Sequence, residues 1–284
     1  MLRRVVGLAA LLTLFFVAVE LWGQCCSAES KPWTLGCRQA NYMKYQDASW
    51  EHLGSIGVHY IFMSVPAPNE LETVQKHLVR NNLKVLVMRG GTELSKPECV
   101  EELGQQLAIC QKMGVHYMFL SPKHASVSKE VAYERLRAIG DVAKKYDVIV
   151  ALETHPDLGT NADVHLETMR AINHPNIRVN FDSGNITYYN TGRNAVEELK
   201  KVLPYLATVE IKDHNGKLEN WNFPALGHGV VDIPGVLSVL KEAGYQGPIT
   251  VEVEGVQGVE RSLEQIKAEI AESMDYLRKL ARFD

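Results

Sequence analysis

From about residue 34 onward the chain repeats one pattern of apolar and polar positions. A short run of β-branched, aliphatic or aromatic residues gives way to a polar loop, and the loop to a stretch with apolar residues at helical spacing. The runs predict strands at 34–39, 58–63, 84–88, 115–120, 148–153, 177–181, 208–212 and 249–253. The spaced stretches predict helices near 48–56, 69–81, 97–113, 128–146, 161–173, 194–203, 233–243 and 260–280. Runs such as Val148-Ile149-Val150-Ala151-Leu152 are apolar without alternation, as in a strand covered on both faces. Glu98, Glu101 and Glu102 stand near the start of the third helix, where carboxylates suit the positive end of the macrodipole. Gly57, Gly114 and Gly244 follow helices and read as their stops.

Residues 1–28 break the pattern. Arg3 and Arg4 precede an apolar stretch over 5–19, and small residues follow at Cys26-Ser27-Ala28. That order describes a secretory signal peptide, so the chain is expected to be exported to a periplasmic or extracellular location. Fifteen apolar residues fall short of the roughly 20 a membrane span needs, so no stable span is expected after cleavage. Gln24 rather than a small residue precedes Cys25, which disfavours a lipid anchor there. The remaining 256 residues, 29–284, divide into eight β/α units of about 32 residues, the length a right-handed crossover needs. An open doubly wound sheet would want G-x-G-x-x-G after its first strand, and Ala40-Asn41-Tyr42-Met43-Lys44 stands there instead. Gly90-Gly91 and Gly227-His228-Gly229 are weak as phosphate signals. The expected fold is therefore α/β, a single-domain (β/α)8 TIM barrel.

Composition narrows the classes further. With 46% hydrophobic and 23% charged residues, the chain is neither disordered, collagen-like nor a multi-span membrane protein. A net charge of −4 argues against nucleic acid as a partner. Beyond the leader only Cys37, Cys99 and Cys110 remain, an odd number that excludes a complete disulfide framework. Cys99 and Cys110 fall on one predicted helix, about 16 Å apart and too far for a bridge.

A barrel carries its chemistry at the C-terminal ends of its strands. Strands five to eight end in Glu153-Thr154-His155, Asp182-Ser183-Gly184-Asn185, Glu210-Ile211-Lys212-Asp213-His214 and Glu252-Val253-Glu254. Glu153, Asp182, Glu210 and Glu252 thus meet at one mouth, flanked by apolar neighbours. Singly, each reads as a helix cap or a partner for Lys; together, buried acids call for a cation. An oxygen-rich site suits Mg²⁺ or Mn²⁺, and imidazole would admit Co²⁺ or Zn²⁺. Lys212 reads either as a salt-bridge partner or as an electrophile. His155 reads as an orienting group or a plain loop residue, and Asp213 and His214 as loop polar residues. The direction of Glu254 stays open.

The ordered set Val-Ala-Leu-Glu153-Thr-His155-Pro, Val-Asn-Phe-Asp182-Ser-Gly-Asn185, Glu210-Ile-Lys212-Asp213, Leu-Gly227-His-Gly229-Val-Val-Asp232 and Ile-Thr-Val-Glu252 resembles the xylose-isomerase-like TIM-barrel family of sugar isomerases and epimerases. The resemblance covers most of the chain beyond the leader and is strongest over 148–254. It implies one divalent metal held by a side chain from each of the last four strands, in the order Glu, Asp, His, Glu. Glu153, Asp182 and Glu252 match, Glu210 falls on the His position, and Asn185 stands where many members have His. Four carboxylates on one divalent ion leave three arrangements open. One acid is protonated, or Lys212 neutralises, or Glu210 is not a ligand and His155 or His214 replaces it.

The resemblance also implies that Glu153 and Glu252 act as acid and base through an enediolate. Lys212 is expected beside them as a catalytic electrophile, and His155, Asn185 and His214 are expected to bind substrate. Export points to a non-phosphorylated sugar or keto-sugar as the small-molecule partner, and a homo-oligomer is compatible with the pattern. The same site would also serve a keto-sugar lyase or hydratase, or a non-catalytic sugar-binding barrel. A metal-dependent abasic-site endonuclease is disfavoured by the acidic balance and by few His near these strands.

Overall fold

The computed structural model describes residues 31–284, so the signal peptide expected at 1–28 lies outside the described residues. Eight parallel strands close a barrel in chain order: β1 (Leu35–Arg38), β2 (Tyr60–Ser64), β3 (Lys84–Arg89), β4 (Tyr117–Leu120), β5 (Ile149–Glu153), β6 (Ile177–Asp182), β7 (Leu206–Ile211) and β9 (Ile249–Val251). β1 pairs with both β2 and β9, which completes the closure. Two short strands, β8 (Asn222–Phe223) and β10 (Gly255–Val256), form a separate antiparallel ladder. All eight predicted strands are present within a few residues of their expected bounds, and the (β/α)8 barrel is the fold.

The helices follow from local chemistry. α1 (Ser49–Ser55), α3 (Cys99–Lys112) and α8 (Ile233–Glu242) are each followed by a glycine at positive φ, Gly57, Gly114 and Gly244. α4 (Lys129–Lys145), α5 (Ala162–Ile172) and α7 (Ala195–Val202) start on Ser128, Asn161 and Asn194, whose side chains accept a first-turn amide. α9 (Leu263–Leu280) opens with a capping box between Ser262 and Gln265. α2 (Leu71–Arg80) carries Glu72 near its start and Arg80 at its end. Cys37, Cys99 and Cys110 are buried free thiols, and Cys99 and Cys110 do share α3.

Besides β8, β10 and a 3₁₀ turn at Leu203–Tyr205, two elements beside the mouth were not expected. 3₁₀ turns run over Gln39–Ala48, broken at Met43, and α6 (Ser183–Tyr189) follows β6 directly. The Asp182-Ser183-Gly184-Asn185 run reads as a loop, yet Asp182 Oδ1 accepts the Gly184 and Asn185 amides at 2.9 and 3.0 Å and nucleates that turn. Among the described residues no helix is long and apolar enough to cross a membrane.

Strand periodicity positions the site. Side chains two apart share a face, so Thr208, Glu210 and Lys212 stack along one line while Val209 and Ile211 take the other face. The same rule aligns Asn180 with Asp182, and Thr250 with Glu252 and Glu254. Register then sets Asp182 beside Glu210 across β6 and β7, and Glu210 beside Thr250 across β7 and β9. Parallel pairing brings such carboxylates together because neither strand can rotate its row away.

Candidate active site

Phe62 and Phe119 form a tilted aromatic pair inside the barrel, with centroids 5.2 Å apart. The Arg38 guanidinium, at the end of β1, lies over both rings at 4.9 and 5.0 Å. Arg38 Nη1 is 3.3 Å from each oxygen of Glu210 and also donates to Glu252 Oε1. Lys212 Nζ stands 3.0 Å from Glu252 Oε2 and 3.8 Å from Asp182 Oδ2, and it pairs closely with Glu254. Its ammonium also sits 4.0 Å from the centroid of the Phe223 ring.

The mouth is a cavity of about 200 Å³ whose lining includes Arg38, Glu153, Asn185, Lys212, Glu252 and Glu254. His155 and Tyr189 meet edge to face on its wall. Asn185 joins two halves of the site. Its amide nitrogen donates to the Thr154 carbonyl at 3.0 Å and approaches Glu153 Oε1 at 3.4 Å, while its oxygen accepts from Lys212 Nζ at 3.3 Å.

Five carboxylates therefore share two buried cations, and burial sets their protonation. Desolvation pushes Asp182 up to about 8 despite Lys212, with Glu252 and Glu153 adding to the rise. Glu210 is raised well above the usual carboxylate range by burial, against the pull of Arg38. Glu252 is also buried, yet Arg38 and Lys212 together outweigh desolvation and hold it below its usual value. Glu254 is raised by burial and by its neighbour Glu252. Desolvation opposes the charge of Lys212, but Glu252, Asp182 and Glu254 prevail and keep it protonated.

Asp182, Glu210 and Glu252 each offer an oxygen, and these atoms lie within 4.8 Å of one another. Asp182 Oδ2 and Glu252 Oε2 are buried with no hydrogen bond among the described residues, although Lys212 Nζ forms an ion pair with Glu252 Oε2 at 3.0 Å. A compact set of oxygen donors with two such atoms fits a hard divalent cation. Glu153 stands apart from this triad, beside Asn185. Of the arrangements left open by the sequence, neutralisation by Lys212 is present, and Arg38 contributes more.

The other expected site residues divide. His155 and Asn185 line the mouth. His155 Nδ1 is 2.6 Å from the Pro156 carbonyl. His214 is buried away from the cavity, with Nδ1 at 2.8 Å from Thr187 Oγ1 and Nε2 at 2.9 Å from the Asn220 carbonyl, so both ring nitrogens are engaged by the protein rather than offered to a ligand. Asp213 organises the following loop: its carboxylate accepts the amides of Gly227 and Gly229 at 2.9 and 2.8 Å. That use explains why the Gly227-His228-Gly229 segment is no phosphate cradle. Glu254, whose direction was open, lines the mouth.

Arg38 is the functional side chain that the sequence reading missed. The signal is a lone Arg that closes the apolar run Leu35-Gly36-Cys37, at the same strand-end position as the acids of the last four strands. Arg89, which ends β3 in the same way, also lines the cavity.

Comparison with known proteins fits this architecture. The family profile described as "Xylose isomerase-like TIM barrel" matches residues 51–280. An inosose isomerase from Bacillus licheniformis is 26% identical over 170 residues, 55% of this chain and 60% of that enzyme. The chain spans about half to three fifths of the length of the curated relatives it matches. The IOLI protein with a bound zinc atom superposes with a TM-score of 0.69 at 22% identity, covering 87% of this chain and 99% of that one. D-psicose 3-epimerase with D-tagatose, from Clostridium cellulolyticum H10, gives 0.70 at 15% identity over 87% and 99%. At those identities the two structures establish a shared fold. With most of its length matched by the family profile, this chain belongs to the xylose isomerase-like TIM barrel family.

Proposed function

We propose that the chain isomerises or epimerises a non-phosphorylated sugar or keto-sugar through an enediolate, with the help of one divalent cation. The observation that carries this reading is the proton-transfer arrangement at the mouth: Glu153 and the Lys212–Glu254 pair face one cavity and are linked through Asn185. The inosose isomerase relative supports the reaction class. The buried acidic triad and the zinc of the IOLI protein support a metal at Asp182, Glu210 and Glu252, with Mn²⁺ or Mg²⁺ the best match to oxygen donors and Co²⁺ or Zn²⁺ admissible. Such a cation would polarise a substrate carbonyl and its neighbouring hydroxyl.

The chain's own groups then divide the work. Among the described residues Glu153 forms no ion pair, and it removes the proton from the carbon beside the carbonyl. Lys212 donates to the oxygen on which charge develops. Return of the proton falls to Glu254 rather than Glu252. Glu252 lies between Arg38 and Lys212 and belongs to the triad proposed to hold the metal, whereas Glu254 is raised, pairs among the described residues with Lys212 alone and lines the cavity. Glu252 serves as the anchor that keeps the two cations in place. We also read residues 1–28 as an export signal; N-terminal sequencing of the protein recovered outside the cytoplasm checks it.

The test incubates the Mn²⁺-loaded protein with free and keto sugars in D₂O and follows deuterium wash-in by NMR. Exchange at one carbon is expected, falling by about 10²-fold or more in Glu153→Gln and Glu254→Gln. Full exchange rates in both variants reject the assignment.

A further inference from the structure

A second cavity, of about 440 Å³, adjoins the mouth. The two share Trp221 and Glu254 in their linings, so the groove lies directly beside the proposed reaction site. The outer part differs in character from the mouth. Met43, Trp221, Val256 and Val259 line it and are 49, 39, 39 and 56% exposed. Half of the eight large apolar side chains exposed on the described residues thus surround one groove. Apolar surface gathered this way marks a binding surface rather than chance exposure.

The groove is also built in advance. Trp221 is held edge-on by Tyr188 and Phe223, at 6.0 and 5.5 Å between centroids. Its carbonyl accepts the Gln257 amide at 2.9 Å, beside the β8–β10 ladder. On the opposite wall the buried Arg261 donates to the Glu254 carbonyl at 2.8 Å and contacts Met43 Sδ at 3.2 Å. Met43 itself sits at φ 52°, a left-handed conformation that a methionine adopts only under constraint. Size completes the argument. The mouth alone is smaller than the ~300–1,000 Å³ of ordinary ligand pockets, and mouth and groove together fall within that range.

We propose that the substrate is the glycoside of a keto-sugar, its carbonyl on a ring carbon other than the anomeric one: the sugar ring occupies the mouth and the apolar, ring-sized aglycone lies in the groove against Trp221, Val256 and Val259. This inference rests on the sugar reading above and adds the class of group attached to the sugar. It requires no new chemical step, because the groove binds and orients.

Calorimetry with a free 3-keto-hexose, its methyl glycoside and its phenyl glycoside tests it on the full chain. The phenyl glycoside is expected to bind roughly 30-fold more tightly than the methyl glycoside, from the area of aryl surface the groove would cover. Val259→Asp and Met43→Ser, both remote from the proposed proton-transfer groups, should bring that ratio to about one while leaving methyl glycoside affinity unchanged. A wild-type ratio near one, or a ratio the two variants do not alter, overturns the proposal. So does a dimer by light scattering that Val259→Asp dissociates, because the groove would then be a contact between copies. Deuterium exchange separates this from the parent reading: exchange into a sugar without an aryl preference sinks the groove alone. Groove-dependent aryl binding with no exchange into any sugar sinks the reaction alone.

Discussion

His165 offers the cleanest quantitative test of how the site is supported. The side chain is 1% exposed on α5, and its Nε2 lies 3.2 Å from Thr154 Oγ1. Thr154 Oγ1 in turn accepts the Asp182 amide at 3.2 Å, so the imidazole backs the strand end that carries the triad. Its Nδ1 is buried without a hydrogen-bond partner among the described residues, and burial pushes its pKa down to about 3. An unfolded chain binds that proton near pH 6.5, whereas the folded chain does not until about pH 3. The folded pKa is depressed, so this contribution to stability is fully present above about pH 6.5 and is lost progressively as pH falls toward 3. At about 1.4 kcal/mol per pH unit, the loss between pH 7 and pH 5 is about 2 kcal/mol. Urea denaturation of the wild type and His165→Gln at pH 7, 6 and 5, in EDTA, isolates it, because every other titrating group is common to both. The stability difference between the two proteins should move by about 2 kcal/mol in favour of the variant as pH falls. A difference constant to within about 0.5 kcal/mol would show that His165 is protonated in the folded protein, and the account of this buried support would fail.

The remaining outcomes concern charge and packing at the mouth. Mn²⁺ at about 100 times its dissociation constant should raise Tm by roughly 5–10 °C, and Asp182→Asn should remove most of that shift in a thermal melt. Because Asp182 is held up to about 8 and Glu210 well above the carboxylate range, metal loading at pH 7 should release protons. Calorimetry in two buffers of different ionisation enthalpy reads that release, and equal heats in both buffers would contradict it. Arg38→Met strips Glu210 and Glu252 of their shared cation and should cost about 3–5 kcal/mol in chemical denaturation; adding Glu210→Met should recover more than half of the loss. A Cβ on Gly184 would stand 2.8 Å from Lys212 Cγ, so Gly184→Ala should displace that lysine. It is expected to lower stability by about 1–3 kcal/mol and to reduce deuterium exchange alongside.

The barrel was legible because its strands are unbroken apolar runs and its helices end at glycines that need positive φ, both local signals. The acidic residues at the strand ends were legible for a related reason: a carboxylate after Val-Ala-Leu or Val-Asn-Phe has nowhere to be solvated. What stayed hidden depends on partners distant in sequence. Arg38 meets Glu210 and Glu252 across 172 and 214 residues, and no local pattern pairs a basic residue with acids so far away. His214 carries the residue type of a ligand, but the Thr187 hydroxyl and the Asn220 carbonyl claim both its nitrogens, which only the folded loops reveal. α6 was hidden because its nucleus is a side-chain cap on a Ser-Gly-Asn run whose composition reads as a turn.

Arg38 and Glu210 make most sense as a single replacement. A neutral His at the third metal position adds no charge, so a site of that kind balances two or three carboxylates with one divalent ion. Glu at 210 adds a negative charge in a place with no access to water, and that charge must be matched or protonated. The guanidinium at the end of β1 supplies the match: it is planar, permanently charged and seated over two phenyl rings that exclude water from it. Its second contact, to Glu252, ties that carboxylate to the same cation, while Glu153 and Glu254 line the mouth beside Asn185 and Lys212. Lys212 and Arg89 add two further cations at the mouth, and burial pushes Asp182 and Glu210 toward their neutral forms, so acids and bases there are close to balance. A neutral polyol enters such a cavity without an electrostatic barrier. The carboxylate on β7 thereby bears on two things together: the environment a cation would meet and the engagement of Glu252 by Arg38.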